Sequence, residues 1–301
     1  MVETDPRSTG RARLSRATRP PAAALVAGAA VSVQFGAAIA TRLFGRVGPV
    51  GAATLRLALG AVVLAALAGG RLRGVRRVDA AVAVSFGLVL GAMNLSFYES
   101  IARIPLGVAV TVEFSGPLTL ALVGSRRLPD LLWAVMAGTG VALLASGVGP
   151  HLDPAGLGFA LLAGACWIGY TLLSQQTGRR LDARSGLGIA MVAAGVAILP
   201  AGVAVGGAEL FRPSVLALGA GVAVLSSVIP YSLELLALRR VSSRGYGVLV
   251  SLDPAVAAIA GLVVLGQHLG ARELAALGLV IAANLGNALV GRPRGVVPTG
   301  A

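Results

Sequence analysis

The chain has no lysine, and charge of either sign is scarce. Of its 301 residues only 12% are charged, against 56% that are hydrophobic, and the mean hydropathy is +0.86. A soluble domain carries about 25% charged residues, so a surface built to face water is excluded. Cysteine is nearly absent too. Cys166 stands alone, which excludes an intrachain disulfide. With His151 and His268 the only histidines, a Cys/His metal site has no ligands to draw on. No serine or cysteine stands with a base in a catalytic arrangement, so neither an enzyme nor a cofactor is expected. Long polar stretches are missing as well, which argues against a sensory or structural subunit with a soluble domain or partner-binding loop. All 25 basic residues are arginine, giving a net charge of +13. They fall in short loops spaced along the chain, which argues against a nucleic-acid partner.

What the sequence does have is apolar length and glycine. The 42 glycines would suggest loops in water, but in a membrane small residues let helix backbones approach closely. About 20 apolar residues span a bilayer as a helix. Ten such segments are expected, at 21–41, 48–69, 79–101, 105–124, 131–149, 155–175, 185–206, 213–237, 245–266 and 273–291. Ala38-Ile39-Ala40 resembles a signal-peptide cleavage site, but the run before it exceeds the usual h-region, so a retained first helix is the better reading. Residues 1–20 read as a disordered cytoplasmic tail and 292–301 as a cytoplasmic C-terminal tail. Placing the N-terminus inside puts 19 arginines in cytoplasmic segments and five outside, at Arg42, Arg46, Arg103, Arg212 and Arg272. The positive-inside rule then sets both termini in the cytoplasm.

The two halves resemble each other. "RIPLGVAVTVEFSGP" (103–117) aligns with "RVSSRGYGVLVSLDP" (240–254) at an offset of 137, each starting with Arg and ending in Pro with an acid nearby. Five segments per half is an odd count, so the second copy enters the membrane upside down. The fold expected is an all-α polytopic membrane protein of ten transmembrane helices in two inverted five-helix repeats, 21–149 and 150–291. Such repeats support alternating access to a central site.

Five charges resist placement in loops: Arg56, Glu99, Glu113, Glu234 and Asp253. Arg56, in "GAATLRLALGAVV", stands some eight residues into its segment, roughly 12 Å deep at about 1.5 Å per residue. Glu113 and Asp253 lie at similar depth. Ionised groups within membrane spans commonly mark substrate or ion pathways; a structural Arg56–Glu113 ion pair is the alternative for these residues. Glu99 and Glu234 have a boundary role as theirs, held by Arg103 and Arg239. Pro117 and Pro254 each remove a backbone donor, freeing carbonyls beside Glu113 and at Leu249–Val250. Gln34, Asn94, Tyr98, Ser115, Trp167, Tyr170 and Tyr231 stand where they can line a cavity.

Together "RLALG" (56–60), "GAMNLSFYESIARIPLGVAVTVEFSGPLTLAL" (91–122), "GACWIGYTLLSQQTG" (164–178) and "LSSVIPYSLELLALRRVSSRGYGVLVSLDPAVAAIAGLVVLGQ" (225–267) resemble the drug/metabolite transporter superfamily. The branch is the EamA type, and within it the bacterial threonine/homoserine exporters. The resemblance implies an inner-membrane secondary transporter that exports small amino acids or related metabolites in exchange for protons. It also implies a central cavity lined by segments one to four and six to nine. Two positions depart from the pattern: Gln267 replaces the usual Glu after Gly266, and Asp253 stands where Glu is more frequent. The expected chemistry has Arg56 holding the substrate carboxylate and Glu113 its ammonium, with Asn94, Tyr98 and Tyr231 as hydrogen-bond partners. Glu113 or Glu234 exchanges the proton, since desolvation disfavours a carboxylate's charged form. Partners are a small-molecule substrate, protons and the lipid bilayer, with a homodimer left open. Import, or export of a different metabolite or drug, is the alternative function.

Overall fold

Lipid offers no hydrogen bonds to a peptide group, so a chain this apolar satisfies its backbone within helices. In the computed structural model every regular element among the described residues is helical. Those residues are 21–69, 74–122, 128–145, 153–238 and 243–290. Both expected tails, His151 and the arginines of 70–73, 123–127 and 239–242 lie outside them.

Helix α1 (Ala22–Ala40) runs through a 3-10 turn, Thr41–Leu43, into α2 (Phe44–Ala68). Gly48 breaks α2 near its start with φ 68, a conformation glycine adopts without strain, and Pro49 begins the straight part. Then come α3 (Arg77–Ile101), α4 (Leu106–Glu113), α5 (Ser115–Leu122) and α6 (Leu128–Ala145). The second half has α7 (Pro154–Gly178), α8 (Ala183–Gly206), α9 (Pro213–Ala223), α10 (Ile229–Leu238), α11 (Ser243–Val250), α12 (Asp253–Leu265) and α13 (Ala271–Val290). A π-helical turn, Val224–Val228, joins α9 to α10. Helix starts carry the chemistry that open N–H groups require: Asp153 accepts from Ala155 N at 2.8 Å, and Asp182 from Arg184 N and Ser185 N at 3.1 and 3.2 Å.

Among the described residues, each of the ten expected segments contains helix, two of them interrupted. Six stretches are long and apolar enough to cross a membrane: Ala23–Ala68, Arg77–Ile101, Pro154–Gly178, Ala183–Phe211, Pro213–Glu234 and Val248–Leu265. Leu106–Leu120 and Leu131–Leu144 are shorter apolar helical stretches. The outer surface is lined with large apolar side chains such as Val62, Leu67, Leu131, Val196 and Val263. That pattern suits hydrocarbon and not water. The chain is a polytopic helical membrane protein.

Two segments are broken where proline stands. One breaks at Phe114, between α4 and α5, three residues before Pro117. The other breaks at Ser251–Leu252, between α11 and α12, with Pro254 in the first turn of α12. The breaks fall 137 residues apart, the offset at which the two halves align. Helix contacts pair up in the same way. α2 packs on α8 and α6 on α13; α3 packs on α7 as α1 does on α10; α4 and α5 pack on α7 as α11 and α12 do on α1. α4 also crosses α12.

The main buried core draws mostly small and aliphatic side chains from α1 to α4, α6 to α9, α12 and α13, among them Ala37, Ala52, Leu57, Leu90, Val108, Ala163, Met191, Val222, Ala257 and Val280. Ion pairs sit at the ends of the helices. Arg46 and Arg212 both meet Glu209 (3.4 and 2.9 Å), Arg103 meets Glu99 and also Asp153 (3.8 Å), and Arg180 meets Asp79 (3.1 Å).

Candidate functional site

Arg56 projects from α2 into the bundle and is only 5% exposed. Its position across from the π-helical turn explains how it is held. Pro230 has no N–H, so the carbonyl of Ser226, four residues back, lacks its helical donor. The Arg56 guanidinium fills that vacancy: Nη2 donates to the Ser226 carbonyl at 2.8 Å, and Nε to Ser227 Oγ at 3.3 Å. Beneath it lies the Tyr98 ring, its centroid 5.7 Å from the guanidinium carbon, in cation–π range. Among the described residues no carboxylate forms an ion pair with Arg56. Its partners are all neutral, so its positive charge stays uncompensated at close range.

Glu113 is the last residue of α4 and is 7% exposed. It lies within electrostatic reach of Arg56 and Asp253, but it does not close onto Arg56, so the ion pair left open by the sequence is not formed. Pro117 cannot donate to the Glu113 carbonyl, which leaves an open acceptor beside the carboxylate at the C-terminal end of α4. α7 comes very close here. A Cβ at Gly116 would stand 2.0 Å from the Gly164 carbonyl oxygen, and one at Gly164 would stand 2.7 Å from that of Glu113. Two facing glycines are therefore what allow the broken helix to seat.

A second acidic group adjoins the first. Asp253 heads α12, and its Oδ1 is buried without a hydrogen-bond partner. Glu234, from α10, lies within electrostatic reach of Asp253 and is hydrogen bonded to Tyr246 of α11. Tyr231 falls between Arg56 and Glu234, in reach of both. Buried Arg56, Glu113 and Tyr98 thus lie in electrostatic reach of the half-buried Asp253, Glu234 and Tyr231, one polar chain inside the bundle.

Other expected site residues separate from it or serve packing. Asn94 is buried, but its Nδ2 donates to the Leu90 carbonyl of its own helix at 2.8 Å. Trp167 packs edge-on against Phe114; Tyr170 tilts against Phe86 and also lies within electrostatic reach of Tyr231, Glu234 and Tyr246. Ser115 lines a different feature, a groove of about 340 Å³ between α5 and α6. Glu99 pairs with Arg103 at the end of α3, the boundary role. Gln267 holds the start of α4 in place, its Oε1 accepting from Leu106 N at 3.0 Å as a cap. Ser226 and Ser227 were not among the expected residues, although Pro230 four residues after Ser226 signals an open carbonyl. Among the described residues no group of three His, Cys, Asp or Glu is placed to hold a metal ion.

The EamA-like transporter family matches residues 154–288. The chain is 42% identical over 267 residues to the threonine/homoserine exporter RhtA of Escherichia coli, covering 88% of this chain and 90% of that one. It is equally 42% identical, over 261 residues, to the threonine/homoserine exporter RhtA of Salmonella typhimurium, covering 86% and 88%. A protein of known crystal structure shares the fold, with a TM-score of 0.57 and 20% identity across 89% of this chain and 96% of that one. The chain belongs to the EamA-like transporters of the drug/metabolite transporter superfamily, close to the RhtA exporters, and is a transporter rather than an enzyme.

Proposed function

We propose that this protein exports threonine, homoserine or similarly small amino acids across the bacterial inner membrane, by alternating access and in exchange for protons. The observation that carries the reading is a buried arginine held, among the described residues, by neutral groups, with a buried glutamate in electrostatic reach that is not bonded to it. A zwitterion has the two charges that such a pair lacks. Its carboxylate takes the Arg56 guanidinium, for which a forked, bidentate contact is the strong geometry. Its ammonium meets the Glu113 carboxylate and the open Glu113 carbonyl at the negative end of α4. Tyr98 and Tyr231 border the same space, and Asn94 joins when its side chain leaves the Leu90 carbonyl. The relatives' function, threonine and homoserine export, supports the substrate class.

Ten crossings as two inverted repeats fit the paired helix contacts and the two breaks at matching positions. Arg56, Glu113 and Glu234 then lie where the repeats meet, as substrate and coupling sites do in such folds. Cytoplasmic termini fit the arginine distribution. They fit the ion pairs too, since each joins residues that the arginine count assigns to one side. Glu113, or Glu234 through Tyr246, carries the proton that returns as substrate leaves. The protein works in the bilayer as a monomer or a homodimer.

Purified protein in liposomes tests the reading. Exchange of labelled threonine or homoserine, accelerated by a pH gradient, is the result expected. Absence of exchange with both substrates, in liposomes where the protein is inserted and folded, contradicts it.

A further inference from the structure

Two hydroxyls beside Arg56 lack a well-formed hydrogen bond. Tyr98 is fully buried and Ser226 is 1% exposed, and neither Tyr98 Oη nor Ser226 Oγ has a partner in good hydrogen-bond geometry, the two hydroxyls and Arg56 making at most loose contacts with one another. Both lie next to the guanidinium and next to each other. Buried polar atoms are nearly always satisfied, so two orphans at one point require an explanation. Ser227 differs, because its hydroxyl already accepts from Arg56 Nε. The residue opposite on α1 is Gly36, where a Cβ would stand 2.3 Å from Ser226 Oγ, so any larger side chain there would collide with that hydroxyl.

We propose that Ser226 and Tyr98 form the subsite for a side-chain hydroxyl of the transported amino acid, which makes the π-helical turn Val224–Val228 the element that selects hydroxy amino acids. The proposal rests on the reading above, with the substrate carboxylate on Arg56. The Ser226 carbonyl is already 2.8 Å from Arg56 Nη2, so a carboxylate replacing that carbonyl brings its own Cβ and Cγ alongside residue 226. A hydroxyl on either carbon then meets Ser226 Oγ and Tyr98 Oη. Serine, tyrosine and substrate hydroxyls each donate one hydrogen and accept others, so the three satisfy one another in a closed set. An alkyl side chain of the same size leaves both protein hydroxyls unpaired. A site built to hydrogen bond a hydroxyl rejects the analogue that lacks it.

One analogue serves both substrates, because 2-aminobutyrate is threonine without its β-hydroxyl and homoserine without its γ-hydroxyl. Initial exchange rates of the three are measured with the full-length protein in liposomes. The wild type is expected to favour threonine and homoserine over 2-aminobutyrate by at least about tenfold. In Ser226→Ala that ratio falls toward one, and Tyr98→Phe, which keeps the ring under Arg56, moves it the same way. If the wild type exchanges threonine but both variants preserve its preference, or slow all three substrates in proportion, the hydroxyl subsite is overturned and the transport reading stands. If the folded wild type exchanges none of the three, the transport reading fails and takes the subsite with it.

Discussion

Arg56 and Ser226 are joined by a 2.8 Å hydrogen bond from the guanidinium Nη2 to a carbonyl that Pro230 leaves without a helical donor. The bond spans from α2 to the turn between α9 and α10, and so from one half of the chain to the other. Under the proposed function, a substrate carboxylate would compete with that carbonyl for the same nitrogen. In the proposed site, binding would loosen this tie between the π-helical turn and α2, and so couple substrate to the relative position of the two halves.

Replacing Arg56 with alanine removes the only cation in the buried chain and leaves the Ser226 carbonyl open. Threonine exchange should fall at least about a hundredfold, given the several kcal/mol that a buried charged partner contributes. Arg56→Lys should recover only a small part, since an ammonium cannot reproduce the fork. Exchange assays on protein of verified insertion check both.

Glu113→Gln keeps the shape of the side chain but cannot take up and release a proton. Acceleration by a pH gradient should disappear, while exchange of substrate for substrate at equal pH persists at a reduced rate. If Glu234→Gln alone abolishes the gradient effect and Glu113→Gln does not, the proton sits on Glu234. Proteoliposomes with imposed pH differences make the distinction.

The seating of the broken helix on α7 depends on two facing glycines. Gly116→Ala would put a methyl group 2.0 Å from the Gly164 carbonyl oxygen, so a backbone has to move. Overpacking of this kind costs about 1–3 kcal/mol or more. A lowered thermal unfolding midpoint in detergent is expected, with exchange impaired at temperatures where the protein is still folded.

Gln267→Ala deletes the acceptor that caps α4 at Leu106 N. Loss of an N-cap costs typically about 1 kcal/mol, visible as a modest drop in the same midpoint. Gln267→Glu should match or exceed the wild type, because a carboxylate at a helix N-terminus gains from the macrodipole.

Much of the fold was legible in sequence because lipid simplifies the problem. Apolar length marks a helix, and arginine, glycine, proline and aspartate mark its ends. Both proline breaks were legible for the same reason: a missing N–H has a fixed consequence four residues back. The site was only partly legible. Depth along a helix identified Arg56 and Glu113 as buried, but not the rotation that decides what each touches. Arg56 is held by a backbone carbonyl, and a search for opposite charges cannot find such a partner. Asn94 has the depth of a site residue, yet its amide turns back onto its own helix, which spacing alone does not reveal. Ser226 and Ser227 were missed because paired serines are ordinary in a membrane helix until the π-helical turn aims them at the arginine.

The central claim is that the uncompensated guanidinium of Arg56 is the seat of the substrate carboxylate. The most direct test compares binding of threonine and threoninamide, which differ only at that carboxylate, to the purified wild type and to Arg56→Ala by calorimetry. The account predicts that the wild type binds threonine at least about tenfold more tightly than the amide, as loss of a charge-assisted contact requires, and that Arg56→Ala binds the two alike. An Arg56→Ala protein that still prefers threonine by the wild-type factor would contradict it.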